Sequence, residues 1–362
     1  MCNNIQAFLQ LIKLGIGTTS TASLPDKVDW SEIEDLAVKQ GLSAVMVDGV
    51  EKLSGLQRPP QELLLQWIGE SLQSYEYRFG LYKKAIAEMA AFYNCHGYKM
   101  MVLKGYACSL DWSKPEHRPC GDIDIWLFGK QKEGDELMTK EKGVEIDNEH
   151  KIHTVFSWGD FIVENHYEFF DHKRYRSLAK LEQVLEEMAK DCRFEKMADA
   201  MTSSSTKVYI PSANFHALFL IIHALNHFAS IGINLRQVLD WAFFMEKHSA
   251  EVDWKWLMPI IDKYHMRDFF NCINAICVEE LGFCSSIFPS VQFLPHLKDK
   301  VFNDIVNPEF QHEPPKQMFT RLAFKYSRWK ANEWKRKLCY NESRLSNLLS
   351  GVWAHLLKPK TI

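Results

Sequence analysis

The sequence predicts an α+β protein: a small mixed β-sheet core flanked by N-terminal and C-terminal helical regions. Three observations carry this. Apolar residues recur at helical spacing up to about residue 95, short apolar runs and period-two alternation replace them between 96 and 177, and helical spacing returns from 178. The expected divisions are therefore 1–95, 96–177 and 178–362. At 362 residues, 46% of them hydrophobic, the chain has the length and the apolar content for more than one structural unit.

In the first region Phe8, Leu9, Leu11 and Ile12 share a helix face, and Gly15 to Ser23 is a small-residue break. Asp29 or Ser31 caps a helix carrying Ile33, Leu36 and Ala37, which Gly41 ends. After Gln57 to Pro60 a long pattern runs through Leu63, Trp67, Leu72, Phe79 and Phe92 and stops near Gly97. The texture then changes. Met100 to Leu103 reads as a buried strand ended by Lys104-Gly105, Tyr106 to Trp112 as one or two helical turns, and 111–119 as a loop. Asp122 to Phe128 is a second strand stopped by Gly129, and a charged helix follows over Lys132 to Lys142. Lys151–Ser157 and Phe161–Phe169 are read as hairpin arms about a Trp158-Gly159-Asp160 turn. From 178 on the pattern is helical, with a Ser/Thr break at 202–206 and Pro211 ahead of a strongly apolar helix.

The formal net charge of -3 gives no overall attraction to nucleic acid or an acidic membrane, so any such partner needs a local patch. No apolar run reaches the roughly 18 residues that span a bilayer. The N-terminus lacks the basic start of a secretory signal, and a cytoplasmic location is expected. The nine cysteines form no C-x-x-C pair and are read as free thiols.

A strand sends alternate side chains to opposite faces. In Gly121-Asp122-Ile123-Asp124-Ile125 both aspartates therefore share one face and both isoleucines face the core. Carboxylates spaced i,i+2, about 7 Å apart along a strand, suit a divalent cation. Gly121 leaves room for substrate at the backbone. Glu164, His166 and Glu168 alternate in the same way on the later hairpin arm. Laid beside the Asp122 strand, Glu164 completes a set of three carboxylates around Mg²⁺ (or Mn²⁺), the set that in-line nucleotidyl transfer uses. Asp160 and Glu168 are fallback candidates for the third acid, and His166 is read either as orienting a carboxylate, as facing substrate, or as structural.

The residues Leu103-Lys104-Gly105, Arg118-Pro119-Cys120-Gly121-Asp122-Ile123-Asp124-Ile125 and Val163-Glu164-Asn165-His166 resemble the bacterial uncharacterised nucleotidyltransferase family of the DNA polymerase beta-like superfamily. Gly232 to Trp241, with Leu235-Arg236-Gln237 and Asp240, and the Asp29-Trp30…Ala37…Gly41 stretch extend the resemblance to roughly 1–250. It implies a nucleotidyltransferase core at 96–177, with an NTP as substrate. Asp122, Asp124 and Glu164 would be metal ligands, and Glu164 either a ligand or the base for the acceptor hydroxyl. Gly105 would mark the phosphate-approach turn, with Lys104 and Arg118 as phosphate contacts. The superfamily follows its strand glycine with Gly or Ser, whereas this chain has Tyr106; that departure motivates a catalytically inactive nucleotide- or metabolite-binding module as an alternative.

A dehalogenase-type phosphatase needs apolar residues before its first Asp, where this chain has Arg118 to Gly121. A glycosyltransferase Asp-x-Asp follows a long α/β unit, where this chain has helices. His216, His223 and His227 share a helix face, but without an adjacent Glu they make a poor zinc motif and are read as lining a cleft or bonding in the core. Arg236 and Asp240 are read as an i,i+4 ion pair, with a cleft-facing role for Arg236 also open. From 316 to 337 there are eight Lys/Arg against Glu333, with Trp329 and Trp334 interleaved. That run is compatible with nucleic acid, hence with an RNA-modifying toxin or defence protein, but is read first as the solvated side of an amphipathic helix. The acceptor, whether small molecule, protein or RNA, is not written in the sequence.

Overall fold

The computed structural model describes residues 2–171, 178–198, 205–289, 294–308 and 318–340. Helices α1 (Asn3–Ile16), α2 (Trp30–Gln40) and α3 (Ser43–Glu51) open the chain. Asp29, not Ser31, caps α2, its carboxylate accepting from the backbone of Ser31 and Glu32. Helices α1 and α3 cross at contact distance: a Cβ on Gly15 would lie 2.1 Å from the Val45 carbonyl oxygen, and one on Gly49 2.0 Å from that of Leu11. The long pattern expected up to Gly97 is α4 (Gln61–Ser71) and α5 (Arg78–Cys95), joined through a π-helical stretch at Leu72–Tyr77.

Six strands follow: β1 (Met101–Val102), β2 (Ile123–Trp126), β3 (His153–Trp158), β4 (Phe161–His166), β5 (Cys192–Ala198) and β6 (Ser205–Pro211). The short α6 (Tyr106–Ser109) leaves β1, and α7 (Gln131–Lys142) is the expected charged helix. The sheet order is β3-β4-β2-β1-β6-β5. Pairs β2–β4 and β1–β6 are parallel and the other three antiparallel, so the sheet is mixed. The stretch after 178, expected to be helical apart from a Ser/Thr break at 202–206, also holds strands: after α8 (Ala179–Met188) the chain returns as the β5–β6 pair. The Ser/Thr tract at 202–206 runs into β6; its residues 202–204 lie outside the described residues.

One sheet face, carrying Val102, Ile123, Ile125, Val163, Val208 and Ile210, packs on α5 and on Met138 of α7. Met101 and Trp126 point to the other face and join a second cluster. That cluster holds α9 (Ala213–Ser230), α10 (Leu235–His248), α11 (Trp254–Lys263), α12 (Arg267–Glu279), α13 (Pro295–Val306) and α15 (Glu333–Tyr340), which follows α14 (Met318–Ala331). Helices α1 to α3 belong to the same cluster, so the helices at the two ends of the chain share one apolar core. The side chain of Gln40 fastens them: its amide donates to the Ile305 carbonyl at 2.9 Å and its oxygen accepts from the Leu235 backbone at 2.8 Å. No helix among the described residues is long and apolar enough to cross a membrane. All nine cysteines are free.

Candidate active site

The sheet face opposite α5 bears the acidic residues. In β2, Ile123 and Ile125 are fully buried on the α5 side, so Asp124 points the other way. The parallel register sets Asp124 directly beside Glu164. Strand β4 is locked in this orientation from behind: Asn165 donates to Asp135 of α7 at 2.8 Å, and Thr154 of β3 donates to the same carboxylate at 2.8 Å. Glu164 and His166 must then face Asp124. One oxygen from each of Asp122, Asp124 and Glu164 lies within 4.8 Å of the others. Of the fallback acids, Asp160 is exposed at the hairpin tip, and Glu168 offers its backbone carbonyl to His166 Nδ1 at 3.1 Å.

Asp124 is 1% exposed and is met by two cations. Lys104 Nζ is 2.6 Å from its Oδ1 and His166 Nε2 is 2.9 Å from the same atom. Burial by itself would raise the Asp124 carboxyl, but Lys104 and His166 outweigh it and hold the group well below the usual carboxylate range. Burial likewise opposes charge on His166, yet Asp124 and Glu164 push it up to about 9. Burial would also raise Glu164, but its hydrogen bond to His166 and the Lys104 charge turn the shift downward. Asp122 stands at the open end; partial desolvation and the Asp124 charge raise it.

In front of Asp122 and Asp124 lies a cavity of about 430 Å³ between this sheet face and helices α9 and α10. Lys104, Gly105, Arg118 and Gly121 line it on the sheet side, and His223, His227, Asn234, Arg236 and Gln237 on the helical side. Glu164 and His166 sit beside Asp124 rather than on the cavity wall. A Cβ on Gly121 would meet nothing within 4 Å, which leaves the backbone approachable. Gly105 is constrained differently. Its φ is +56°, and a Cβ there would lie 2.3 Å from the hydroxyl of Tyr82, which donates to the Asp122 carbonyl at 2.8 Å. Tyr106 turns away from the cavity, stacking on Phe79 and reaching toward Glu195 on β5 at 3.4 Å.

The two arginines have different surroundings. Arg118 is bidentate to Asp240, with Nε to Oδ1 at 2.7 Å and Nη2 to Oδ2 at 2.8 Å, and Trp112 donates to the same carboxylate at 2.9 Å. Asp240 is thus committed to Arg118, and the i,i+4 pair expected between Arg236 and Asp240 does not form. Arg236 has no ion pair or hydrogen bond among the described residues, and its buried Nε is unsatisfied. Its stem packs where a Cβ on Gly41 would sit, 3.5 Å from Arg236 Cδ and 3.6 Å from Pro119 Cγ. Burial first, then the nearby Arg118 charge, draws its pKa below the ordinary arginine value. Burial pushes His227 down to about 4 and His223 well below its usual value, so both present neutral imidazoles.

A family model described as an uncharacterised nucleotidyltransferase matches residues 26–282, about seven-tenths of the chain. The chain belongs to that family. No curated protein matches the chain. A solved structure titled as an antigenic nucleotidyltransferase-like protein from Paracoccidioides brasiliensis is similar at 14% identity and a TM-score of 0.32, over 57% of this chain and 95% of that one.

Two placements in this chain were not read from the sequence. His153 stands across from His166 in the β3–β4 ladder, its Nδ1 3.5 Å from Glu164 Oε2. The missed signal was loop length: Trp158 pairs with Phe161, so the turn is Gly159-Asp160 alone, and that register brings residues 153 and 166 together. The other is the long-range Arg118–Asp240 pair. The basic run at 316–337 does not form one exposed stripe. Lys335 is buried, 2.6 Å from Asp304 and over the Phe228 ring, and Trp334 packs on Phe228; Lys316 lies outside the described residues.

Proposed function

We propose that this nucleotidyltransferase moves a nucleoside monophosphate from an NTP to an acceptor hydroxyl, with a divalent cation such as Mg²⁺ or Mn²⁺. The observation that carries this reading is the convergence of Asp122, Asp124 and Glu164 at the edge of a cavity whose far wall presents Arg236, unpaired among the described residues. The donor set fits: three carboxylates offer the hard oxygen ligands that magnesium and manganese take. Bound there, the cation would neutralise phosphate charge and acidify the attacking hydroxyl.

The chain's own residues do the rest. Arg236 faces the anionic tail of the nucleotide with an unused guanidinium, a fork that matches phosphate oxygens. The bare backbone at Gly121 lets the phosphates come close. The acceptor oxygen bonds to the α-phosphorus, the bond from that phosphorus to the bridging oxygen breaks, and pyrophosphate leaves. The hydroxyl proton passes to a carboxylate of the acidic group. Lys104 keeps Asp124 ionised and is placed to shift toward phosphate when a cation takes its position. Arg118, bidentate to Asp240, shapes the cavity wall, and any phosphate contact it makes comes second to that pair.

A non-catalytic binding module loses its motive, since the Tyr106 ring occupies the core and leaves the cavity clear. The test is transfer of label from α-labelled NTPs to small-molecule, protein and RNA pools, with wild type beside Asp122→Ala/Asp124→Ala. Wild type is expected to label one pool in a cation-dependent way and the double variant none. Equal labelling by both proteins would remove the aspartates from the chemistry.

A further inference from the structure

We propose a second metal site on the same sheet face, in which His153, Glu164 and His166 hold a transition-metal ion of the zinc type beside the acidic group. Nucleotidyl transfer does not require it; it shares Glu164 with the acidic group and uses His166, which in the absence of the ion contacts Asp124. The three side chains come from two adjacent strands: His153 and His166 are directly paired across the β3–β4 ladder, and Glu164 lies two residues before His166 on the same face. One ligand atom from each lies within 4.8 Å of the others.

The distances to Glu164 have the size of a coordination sphere. Both His153 Nδ1 and His166 Nε2 stand 3.5 Å from the same oxygen, Glu164 Oε2. Zinc–nitrogen and zinc–oxygen bonds of about 2.0–2.2 Å in a tetrahedron put neighbouring ligand atoms roughly 3.3–3.5 Å apart. His153 Nδ1 is buried and has no hydrogen-bond partner, a cost that a ligand bond would remove.

The second ring is oriented as a metal-binding histidine is. A carbonyl oxygen only accepts, so the contact between His166 Nδ1 and the Glu168 carbonyl at 3.1 Å puts the proton on Nδ1. Without a metal, Nε2 carries a second proton that faces Asp124 Oδ1 at 2.9 Å and Glu164 Oε2 at 3.5 Å; a metal ion bound there takes that proton's place and receives the Nε2 lone pair. A backbone carbonyl fixing the distal nitrogen is the usual outer-shell support of a ligating imidazole. Two nitrogens and one carboxylate suit zinc or a neighbouring transition metal and not magnesium, which keeps to oxygen. Three protein ligands leave one position open, on the side of Asp124. Glu164 is common to both sets, so an ion held by the histidines would fix the orientation of the third carboxylate of the nucleotidyl-transfer site.

The experiment is equilibrium Zn²⁺ binding to chelator-stripped full-length protein without nucleotide, on wild type, His153→Gln and Asp122→Ala, with a thermal melt of each metal-free protein. Expected is one tight Zn²⁺ equivalent in wild type, unchanged by Asp122→Ala. His153→Gln should weaken it by about 100-fold or more, beyond the roughly 10–100-fold that outer-shell partners contribute. Zn²⁺ affinity equal in wild type and His153→Gln, or lost in Asp122→Ala, would overturn the proposal. Should His153→Gln melt early, X-ray absorption on the wild-type zinc complex decides. Imidazole scattering from two rings supports the site, and sulfur or purely oxygen coordination sinks it.

Discussion

The two walls of the cavity differ in how their charges are matched. On the sheet wall Asp124 is met by Lys104 and His166, and Arg118 is met by Asp240. On the helical wall Arg236 has no partner among the described residues, and His223 and His227 are held neutral. Arg118 and Arg236 compete for one carboxylate: Asp240 is one helical turn from Arg236 and 122 residues from Arg118, yet it binds the distant one. A bidentate fork in a buried setting outweighs an i,i+4 contact, which contributes only about 0.2–0.5 kcal/mol. The excluded arginine is left for an anion that no described residue supplies.

The largest effect expected from this difference is at Arg118. Arg118→Ala breaks the buried bidentate pair and leaves the Asp240 carboxylate with the Trp112 indole and the weaker i,i+4 neighbour Arg236; breaking a buried pair costs roughly 3–5 kcal/mol, less what Arg236 recovers. Denaturant titration should show the loss as a lower midpoint. An unfolding free energy within about 1 kcal/mol of wild type would mean that the pair is not what closes the sheet wall.

The sheet wall was legible in the sequence because burial on one face enforces a period of two. Ile123 and Ile125 point into the core, so Asp124 had to oppose them, and Val163 sets Glu164 by the same rule. The β5–β6 pair was less legible. Phe194 is 48% exposed on the outermost strand and Lys196 faces Lys207 across the ladder, so the alternation is diluted by solvent-facing residues. The pairing of Arg118 with Asp240 left no trace in local spacing, since a tertiary contact chose between two arginines. Arg236 was legible as a residue near the cleft but not as the unsatisfied one. The N-terminal helices read correctly as helices. What spacing did not disclose is that Gln40 and Gly41 end α2 against the start of α10 and so position Arg236.

A buried carboxylate without a cation provides the contrast to Asp124. Glu182 on α8 accepts from the Phe169 backbone at 2.7 Å, but its other oxygen is unsatisfied, and burial pushes it up to about 7. The sign is opposite to that of Asp124. Between the unfolded value of 4.5 and the folded value near 7 the native state holds a proton that the unfolded chain has lost, so stability falls as pH rises through that window. The full difference amounts to about 3 kcal/mol. Glu182→Gln should remove this slope while keeping the bond to Phe169. Melting temperatures at about pH 5 and about pH 8 should show the variant gaining on wild type at the higher pH; an advantage that does not grow with pH would place the wild-type slope elsewhere.

The smallest of these effects bears most directly on function. Arg236→Ala removes a buried guanidinium that has no ion pair or hydrogen bond among the described residues, so the melting temperature should hold or rise. Nucleoside triphosphate affinity should fall by about 10–100-fold, the 1.5–3 kcal/mol of a hydrogen bond to a charged group. Calorimetric titration separates the two readouts. Lys is expected to restore little, because a point charge does not reproduce the planar fork. If Arg236→Ala instead destabilised the fold and left nucleotide binding untouched, the helical wall would be as self-contained as the sheet wall, and the asymmetry that points this cavity at phosphate would be gone.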